Sequence, residues 1–364
     1  MKIYKDLYWL IISPASLFRA WDIFKSDKKN KLDVMDFELE LEKNIFDLYR
    51  DLKNGTYKHG PYKGFWIHDP KLRRIHKATV RDRVLHHAVF RVLNPIFEPT
   101  FISNSFSCRI GKGTHKGMKK VAEMIRIVSQ NNTRQCYALK CDVRKFFDSI
   151  DHNVLISILD KKIKDEKVMN LMREIIESFE ASRQNLFERR GVPIGNLTSQ
   201  IFANIYMNEF DQFVKHNLKV EYYARYTDDF IIISTNKAYL ENLIIPIQNF
   251  LRTKLYLELH PKKVHITKHI RGIDFLGYVI LPEHIKLRTK TKRKIPKKIQ
   301  EMVSRYKQGR ITELTLYSSL QSYLGVLSHA NAYKLSQEIQ NKFWFCFAVS
   351  DYKMNICIIS FVVY

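Results

Sequence analysis

The 364-residue sequence has little cysteine, and its cysteines are not grouped. There are five, an odd number with no Cys-x-x-Cys spacing, namely Cys108, Cys136, Cys141, Cys346 and Cys357. A disulfide framework and a zinc site both need paired or clustered cysteines, so neither is indicated. We therefore expect a reducing compartment and a cytoplasmic location.

Long apolar runs are also lacking. The apolar C-terminal segment, Phe343 to Tyr364, is interrupted by polar residues, and its longest clean run, Ile356 to Tyr364, is far short of the roughly 20 residues of a spanning helix. The opening stretch Met1 to Ile12 contains Lys5 and Asp6, and no small-residue cleavage site follows it. The sequence therefore predicts no secretory signal and no stable membrane association, and we interpret the C-terminal segment as buried.

Acidic residues are scarce relative to basic ones. The chain has 61 Lys and Arg against 37 Asp and Glu, a formal net charge of +24, together with 23 Phe and 19 Tyr. Such an excess of positive charge favours a polyanionic partner, and aromatic rings suit stacking on single-stranded bases as well as core packing. A membrane surface is the competing explanation for the charge.

Low-complexity linkers and internal repeats are absent from the sequence, and 45% apolar residues are ample for a core. One amphipathic helix is predicted from Phe37 to Asn54, with Gly55 as its stop, and a second from Val80 to Leu93, ended by Asn94-Pro95. Apolar strands then alternate with helices as far as Tyr278. This pattern predicts an α+β fold.

Two adjacent carboxylates stand in the segment Tyr226-Thr227-Asp228-Asp229-Phe230. Apolar runs flank it, Val220 to Ala224 and Phe230 to Ile233, which indicates a β-hairpin with the acids at its tip. Two neighbouring Asp side chains repel each other, so a divalent metal would stabilise them. The alternative is an ordinary surface turn, because so short a motif also occurs by chance.

A second acid ends an apolar segment earlier in the chain, Tyr137 to Asp142, which we interpret as a buried strand. Nucleotidyl transfer uses two metal ions about 3.5–4 Å apart, bridged by carboxylates. One acid at a strand end and two at a hairpin tip would supply these ligands. The pair of segments resembles the palm of a reverse transcriptase, in which an Asp that closes one strand faces a Tyr-x-Asp-Asp turn.

The resemblance extends over roughly residues 35 to 340 and about seven blocks in the same order. It implies a right-hand polymerase, with an N-terminal and fingers region at 1–136, a palm with the remaining fingers elements at 137–285, and a basic helical thumb with the apolar C-terminal segment at 286–364. It also implies two Mg²⁺ ions, replaceable by Mn²⁺, with the metal ligands Asp142, Val143, Asp228 and Asp229.

The block Gly191 to Gln200 carries a finer resemblance. Group II intron enzymes have Gln-Gly and then Ser-Pro here, whereas this chain has Ile194-Gly195 and then Ser199-Gln200, a form that is similar to the reverse transcriptases of diversity-generating retroelements. A Gln side chain can hydrogen-bond a nucleotide and an Ile side chain cannot, so the resemblance implies error-prone copying of template adenines. A core position for Ile194 remains the alternative.

Other blocks supply candidate site residues. By resemblance, the nucleotide would be bound by Arg74 and Arg81 of the fingers, by Phe147, whose ring would exclude a 2′-hydroxyl, and by Ile194, Gly195 and Gln200. Lys263 aligns with a general acid toward pyrophosphate. The alternatives are solvated surface cations for the two arginines and for Lys263, whose neighbour is Lys262, and a core position for Phe147.

Template and primer contacts are predicted in three places. Arg109 lies in the block that follows the fingers, and Phe275-Leu276-Gly277-Tyr278 resembles the primer-grip hairpin. The run from Lys286 to Lys298 holds eight Lys or Arg in thirteen residues with no acid, and it precedes helical patterning at Leu316, Leu320, Leu324 and Leu327. This run, represented by Lys292, Arg293 and Lys294, would grip template and primer phosphates in the thumb, or it would be a solvated helix face.

The partners implied are an RNA template, a DNA or RNA primer, dNTPs and a small accessory protein. Two related alternatives are a group II intron-type and a phage-defence reverse transcriptase. An RNA-binding scaffold without catalysis is the alternative from a different class, and the three acids Asp142, Asp228 and Asp229 argue against it.

Overall fold

The structure is a computed structural model that describes residues 2–68, 72–179, 182–185 and 188–344. The C-terminal segment from 345 onward, with Cys346 and Cys357, lies outside the described residues. Its burial stays a prediction.

The described chain is built from helices and short strands in alternation, which confirms the α+β prediction. The helices are α1 Tyr8–Ile12, α2 Pro14–Lys25, α3 Leu32–Leu39, α4 Leu41–Asn54, α5 Val80–Phe97, α6 Thr114–Val128, α7 Phe146–Ser149, α8 His152–Asp160, α9 Glu166–Glu177, α10 Leu197–Gln212, α11 Lys237–Lys254, α12 Thr289–Lys307 and α13 Glu313–Leu327. The strands are β1 Lys63–Ile67, β2 Arg73–Lys77, β3 Tyr137–Asp142, β4 Ser182–Asn185, β5 Glu188–Arg190, β6 Tyr223–Tyr226, β7 Asp229–Ser234, β8 His265–Lys268, β9 Ile273–Phe275, β10 Tyr278–Ile280 and β11 Ile285–Leu287.

The chain forms two compact units that interleave along the sequence. The first contains the residues up to Gly113, Leu139–Ile232 and Ala238–His265, and the second contains Thr114–Ala138, Ile233–Lys237 and the chain from Ile266 onward. This grouping does not test the predicted domain boundaries at 136/137 and 285/286, which stay predictions.

Strands β6, β7 and β3 lie side by side in this order in a four-stranded sheet, and they contribute to the core of the first unit. These strands are buried on both faces, and α10 packs against them through Phe210, whose ring lies 4.9 Å from that of Phe230. Helix α5 packs in turn on α10 and α2. The hairpin β1–β2 forms its own two-stranded sheet, with β1 exposed and Trp66 paired to Arg74.

The second unit contains an antiparallel meander with the order β11-β10-β9, and the helices α12 and α13 pack on each other. Leu316, Leu320 and Leu327 are the buried residues of α13, so the predicted helical patterning is confirmed. No helix among the described residues is both long and apolar enough to cross a membrane.

Two predicted helix boundaries are wrong. The helix expected from Phe37 begins at Leu41, because the backbone at Glu40 (φ −118°, ψ 40°) leaves the helical region and separates α3 from α4; its end at Gly55, with φ 71°, is as expected. Helix α5 continues through Pro95 to Phe97. Proline costs a helix about 3 kcal/mol, and burial of Ile96 and Phe97, about 1.5–3 kcal/mol each, is sufficient to offset it.

Candidate active site

The predicted carboxylate hairpin is confirmed. Strands β6 and β7 pair antiparallel with Tyr226 opposite Asp229, which leaves Thr227 and Asp228 as a two-residue turn. Thr227 has φ 58°, a conformation that a β-branched residue adopts only when its surroundings hold it there. Its hydroxyl donates to Ser107 Oγ at 2.6 Å, and its carbonyl oxygen accepts from Arg225 Nη1 at 2.9 Å.

The strand β3 ends at Asp142, as predicted, and its end is held from two sides. On one side the Val143 N–H donates to the Asp228 carbonyl at 3.2 Å, and on the other the His260 N–H donates to the Asp142 carbonyl at 2.8 Å. Val143 also forms an antiparallel bridge with Leu259. The main chain therefore fixes the residue after Asp142 against the turn that carries Asp228.

The three acids share one electrostatic environment. Burial, and then the charges of Asp142 and Asp229, raise the pKa of Asp228 to about 6. Two lysines face the other two acids: Lys263 Nζ donates to Asp142 Oδ1 at 2.7 Å, and Lys140 Nζ lies 3.7 Å from Asp229 Oδ1. The structure therefore brings together the four residues predicted to be catalytic.

The donor set suits a hard divalent cation. Carboxylate oxygens are the ligands that Mg²⁺ prefers, and a bound cation would offset the repulsion between Asp228 and the charges of Asp142 and Asp229. Within the described ranges, however, no group of three His, Cys, Asp or Glu side chains is arranged to hold a metal ion. Lys263 takes one oxygen of Asp142, so a metal would compete with this ammonium group.

A cleft of about 700 Å³ in the first unit is lined by Arg73 and Arg74 of β2, by Arg144 and Lys145, which follow Asp142, and by Ile194. Its volume is within the range of small-molecule sites. Its cations, which include Arg190, outnumber its two acids, Asp148 and Glu258. Such a cleft suits a ligand with several negative charges, and arginines can meet phosphate oxygens bidentately.

The loop before α10 contacts the β1–β2 hairpin closely. Gly195 has φ 112°, and a Cβ at this position would lie 2.6 Å from Ile75 Cγ2, so only glycine fits. The His76 N–H donates to the Ile194 carbonyl at 3.1 Å. Asn196 adds two bonds, from its Nδ2 to the His76 carbonyl at 2.8 Å and from the Ala78 N–H to its Oδ1 at 3.3 Å. These contacts fix Ile194 at the cleft.

Several predicted nucleotide-binding residues lie elsewhere. Gln200 lines a different cavity, of about 320 Å³. Arg81 forms an ion pair with Asp51 at 2.5 Å, with its guanidinium over the ring of Tyr57, and it is not among the residues that line the cleft of Ile194. Phe147 is half-buried, with its ring edge-on to that of Phe146. Their roles stay predictions.

The side chain of Arg109 is buried, and it stabilises the loop in which it lies. Its guanidinium contacts Glu98 at 2.8 Å and donates to the carbonyl oxygens of Ile102 and Ser105 at 2.6 and 2.8 Å. The loop runs beside β6, where the Arg225 N–H donates to the Asn104 carbonyl at 2.9 Å. Contact of Arg109 with template or primer stays a prediction, and the geometry gives this residue a structural role.

The Phe275–Tyr278 block forms a hairpin between β9 and β10, as predicted. Both turn residues have positive φ, 50° at Leu276 and 89° at Gly277, and the rings of Phe275 and Tyr278 are buried. In the basic run, Lys292 and Arg293 are exposed on α12, whereas Lys294 is half-buried. Their contact with nucleic acid stays a prediction.

Three buried residues beneath the turn were not predicted from the sequence, namely Asp211, Tyr223 and Arg225. A charged residue inside the apolar strand before the turn was the available signal for Arg225. Nothing in the local sequence marked Asp211 as its partner, or Asn196 as a contact of β2.

Comparison with known proteins gives the family. The family model described as "Reverse transcriptase (RNA-dependent DNA polymerase)" matches residues 61–280. The Group II intron-encoded protein LtrA of Lactococcus lactis is 25% identical, over 77% of this chain and 57% of LtrA. Protein YkfC of Escherichia coli is 26% identical, over 64% of this chain and 69% of YkfC.

Among solved structures, a telomerase from Candida albicans is similar with a TM-score of 0.48 and 13% identity, over 80% of this chain and 55% of that one. The chain spans just over half the length of LtrA. The match to the family model covers more than half of the chain and includes all three acids of the site. The chain therefore belongs to the reverse transcriptase (RNA-dependent DNA polymerase) family, and the predicted right-hand polymerase fold is confirmed.

Proposed function

We propose that the chain is an RNA-directed DNA polymerase that copies an RNA template into cDNA. The observation that carries the proposal is the meeting of Asp142 at the end of β3 with the Asp228 turn, where burial and then the charge of Asp142 raise the pKa of Asp228 to about 6. Half-buried carboxylates placed together in this way are costly unless a cation is bound between them. Two-metal nucleotidyl transfer would supply such cations.

In this mechanism the primer 3′-hydroxyl attacks the α-phosphate of a dNTP, the bond to the β-phosphate breaks, and pyrophosphate leaves. Two Mg²⁺ ions, or Mn²⁺ in their place, would be held by Asp142, Asp228 and Asp229 with the main chain of Val143, and would activate the hydroxyl and neutralise the leaving group. Arg74, Arg144 and Lys145 line the basic cleft and would bind the triphosphate. Lys263, which donates to Asp142, would give a proton to the pyrophosphate oxygen.

The test is primer extension on an RNA template with Mg²⁺ and dNTPs, with Asp228→Ala as the inactive control. We expect cDNA from the wild type and none from the variant. Equal synthesis by both would place the active site elsewhere. Retained RNA binding with no synthesis by the wild type, even with added template RNA and accessory protein, would favour the non-catalytic scaffold.

The finer proposal is that the enzyme belongs to a diversity-generating retroelement and miscopies template adenines. It is supported by Ile194, which lines the cleft with no polar side-chain atom to offer a nucleotide. Ile194→Gln restores a hydrogen-bonding group at the same position, and we expect fewer errors opposite adenine in the sequenced cDNA. Equal error spectra would contradict the proposal. Ile194→Leu, which changes shape without adding polarity, is the matched control.

A group II intron-type enzyme is the second candidate, because the Group II intron-encoded protein LtrA matches 77% of the chain. Accurate copying by the wild type would favour this candidate or a phage-defence enzyme. The flanking genome separates them, since a template repeat beside a variable repeat that differs at adenines belongs only to a diversity-generating element. A small accessory protein, a dedicated template RNA and a cytoplasmic location are part of the proposal for that element.

A further inference from the structure

A buried charged cluster lies beneath the turn that carries Asp228, and its members are Asp211, Tyr223 and Arg225. The side chains of Asp211 and Arg225 are fully buried. Arg225 donates from Nε to Asp211 Oδ1 at 2.7 Å and from Nη2 to Asp211 Oδ2 at 2.6 Å, and the Tyr223 hydroxyl donates to Asp211 Oδ1 at 2.7 Å. This bidentate pair fixes the plane of the guanidinium group.

The third nitrogen of Arg225 is directed at the turn. Nη1 donates to the Thr227 carbonyl oxygen at 2.9 Å. That carbonyl belongs to the peptide that joins Thr227 to Asp228, so the guanidinium fixes the orientation of this peptide. Because Thr227 has φ 58°, the turn needs such an external contact to hold it.

The next contact along the chain reaches the second acid. The Asp228 carbonyl accepts from the N–H of Val143, the residue after Asp142, at 3.2 Å. A continuous path therefore runs from Asp211 through Arg225 and the Thr227–Asp228 peptide to the end of β3. A shift of the turn would move Asp228 relative to Asp142.

A buried ion pair is weak support for stability, because apolar residues of similar volume often replace it without loss. A role in positioning explains why the arginine has its third contact at the turn. We propose that Arg225 is a positioning residue that aligns the carboxylate of Asp228 with that of Asp142. The inference rests on the proposed polymerase function of these two acids.

Arg225→Lys is the first test variant, because a single ammonium group cannot bind both oxygens of Asp211 and also reach the Thr227 carbonyl. We expect kcat for primer extension to fall about 10- to 100-fold, as for a misplacement on the order of 1 Å. The KM for dNTP and the affinity for template–primer should stay within about twofold. An unchanged kcat would overturn the proposal.

Tyr223→Phe is the matched control. It removes one hydrogen bond from the same Asp211 carboxylate and leaves the contact between Arg225 and Thr227 in place. We expect it to lower the melting temperature while kcat stays within about twofold. If it lowered kcat as much as Arg225→Lys does, the effect would be general destabilisation, and the proposal would be wrong.

If Arg225→Lys does not fold, a second variant that is expected to keep the fold tests the same proposal. Asp211→Leu, Tyr223→Phe and Arg225→Met together replace the cluster by apolar residues, which buried ion pairs tolerate. We expect a folded protein with the same loss of kcat. Full activity in this triple variant would refute a positioning role.

Hydrogen exchange at the Val143 amide gives a readout that does not need catalysis. This N–H donates to Asp228, so its exchange should be faster in Arg225→Lys than in Tyr223→Phe. Equal exchange in the two would contradict the alignment. If the wild type made no cDNA while Val143 exchanged as expected, the proposed function would fail and the alignment would stand.

Discussion

Replacing Asp228 by Asn should stabilise the metal-free protein above about pH 6. The pKa of Asp228 is raised from the ordinary 3.8 to about 6, so the folded state binds this proton more tightly than the unfolded state does. Ionisation of Asp228 therefore lowers the free energy of unfolding. This loss of stability is absent at pH values below both pKa values, grows as the pH rises from 3.8, and is complete above 6. A shift of about 2 pH units at about 1.4 kcal/mol each corresponds to about 3 kcal/mol.

The assay is urea unfolding of the wild type and Asp228→Asn in EDTA, in steps from pH 4 to pH 8. We expect the free energies of unfolding to coincide near pH 4 and to diverge by up to about 3 kcal/mol in favour of the variant at pH 7–8. Added Mg²⁺ should narrow this gap, because a cation bound to the ionised carboxylates stabilises the wild type. A gap that does not change with pH would refute the electrostatic argument.

Asp36→Asn is the control. Asp36 is exposed on α3, and the substitution neutralises a carboxylate that is far from Asp228 in the sequence. We expect it to change the free energy of unfolding by less than about 0.5 kcal/mol at every pH. A pH-dependent gain of the same size in this variant would show that removal of any acid from the chain has the effect.

Three further predictions concern Gly195, Lys263 and the basic run of α12. Gly195→Ala should cost about 1–3 kcal/mol of stability, measured by urea unfolding, and should raise the KM for dNTP, because a Cβ would meet Ile75 and displace the loop that carries Ile194. Lys263→Gln should lower the single-turnover rate of nucleotide addition by about 100-fold if its ammonium group is the general acid. Alanine at all three of Lys292, Arg293 and Lys294 should reduce the slope of log affinity for RNA against log salt by about 2.

Each of these predictions has a matched control in the chain. Gly55 has φ 71° with no atom near the position of a Cβ, so Gly55→Ala should lower stability without changing the KM for dNTP. Lys262 is exposed beside Lys263, and Lys262→Gln should leave the rate of addition unchanged. Alanine at the exposed Lys29 and Lys31 should leave the salt slope as it is. If a control variant changed the KM, the rate of addition or the salt slope as much as its test variant does, the corresponding prediction would be contradicted.

Local sequence was sufficient for the strands that carry the acids. The hairpin around Asp228 and the strand that ends at Asp142 follow from apolar runs that stop at polar residues, and such a pattern depends on neighbours in the chain. The end of α4 at Gly55 could be predicted from the local sequence for the same reason. The course of α5 beyond Pro95 was not predictable, because it depends on the burial of Ile96 and Phe97 against distant elements.

The side chains that organise the site were hidden from the sequence because their partners are far along the chain. Asn196 binds the main chain 120 residues away at His76, and Ser107 meets Thr227 across 120 residues as well. A lone Asn or Ser gives no periodic signal, so its role becomes visible only when the fold brings the two segments together.

The predicted and the missed residues differ in kind. Acids and cations that would meet a ligand stand in short motifs, because their chemistry demands particular residue types at a turn or strand end. The residues that hold those groups in place, such as Arg225 beneath Thr227 and Asn196 beside Ile194, could be replaced by other arrangements that reach the same backbone atoms. Their identity therefore follows from this fold's own geometry, and substitutions at them should alter rate or fidelity while the motif itself stays intact.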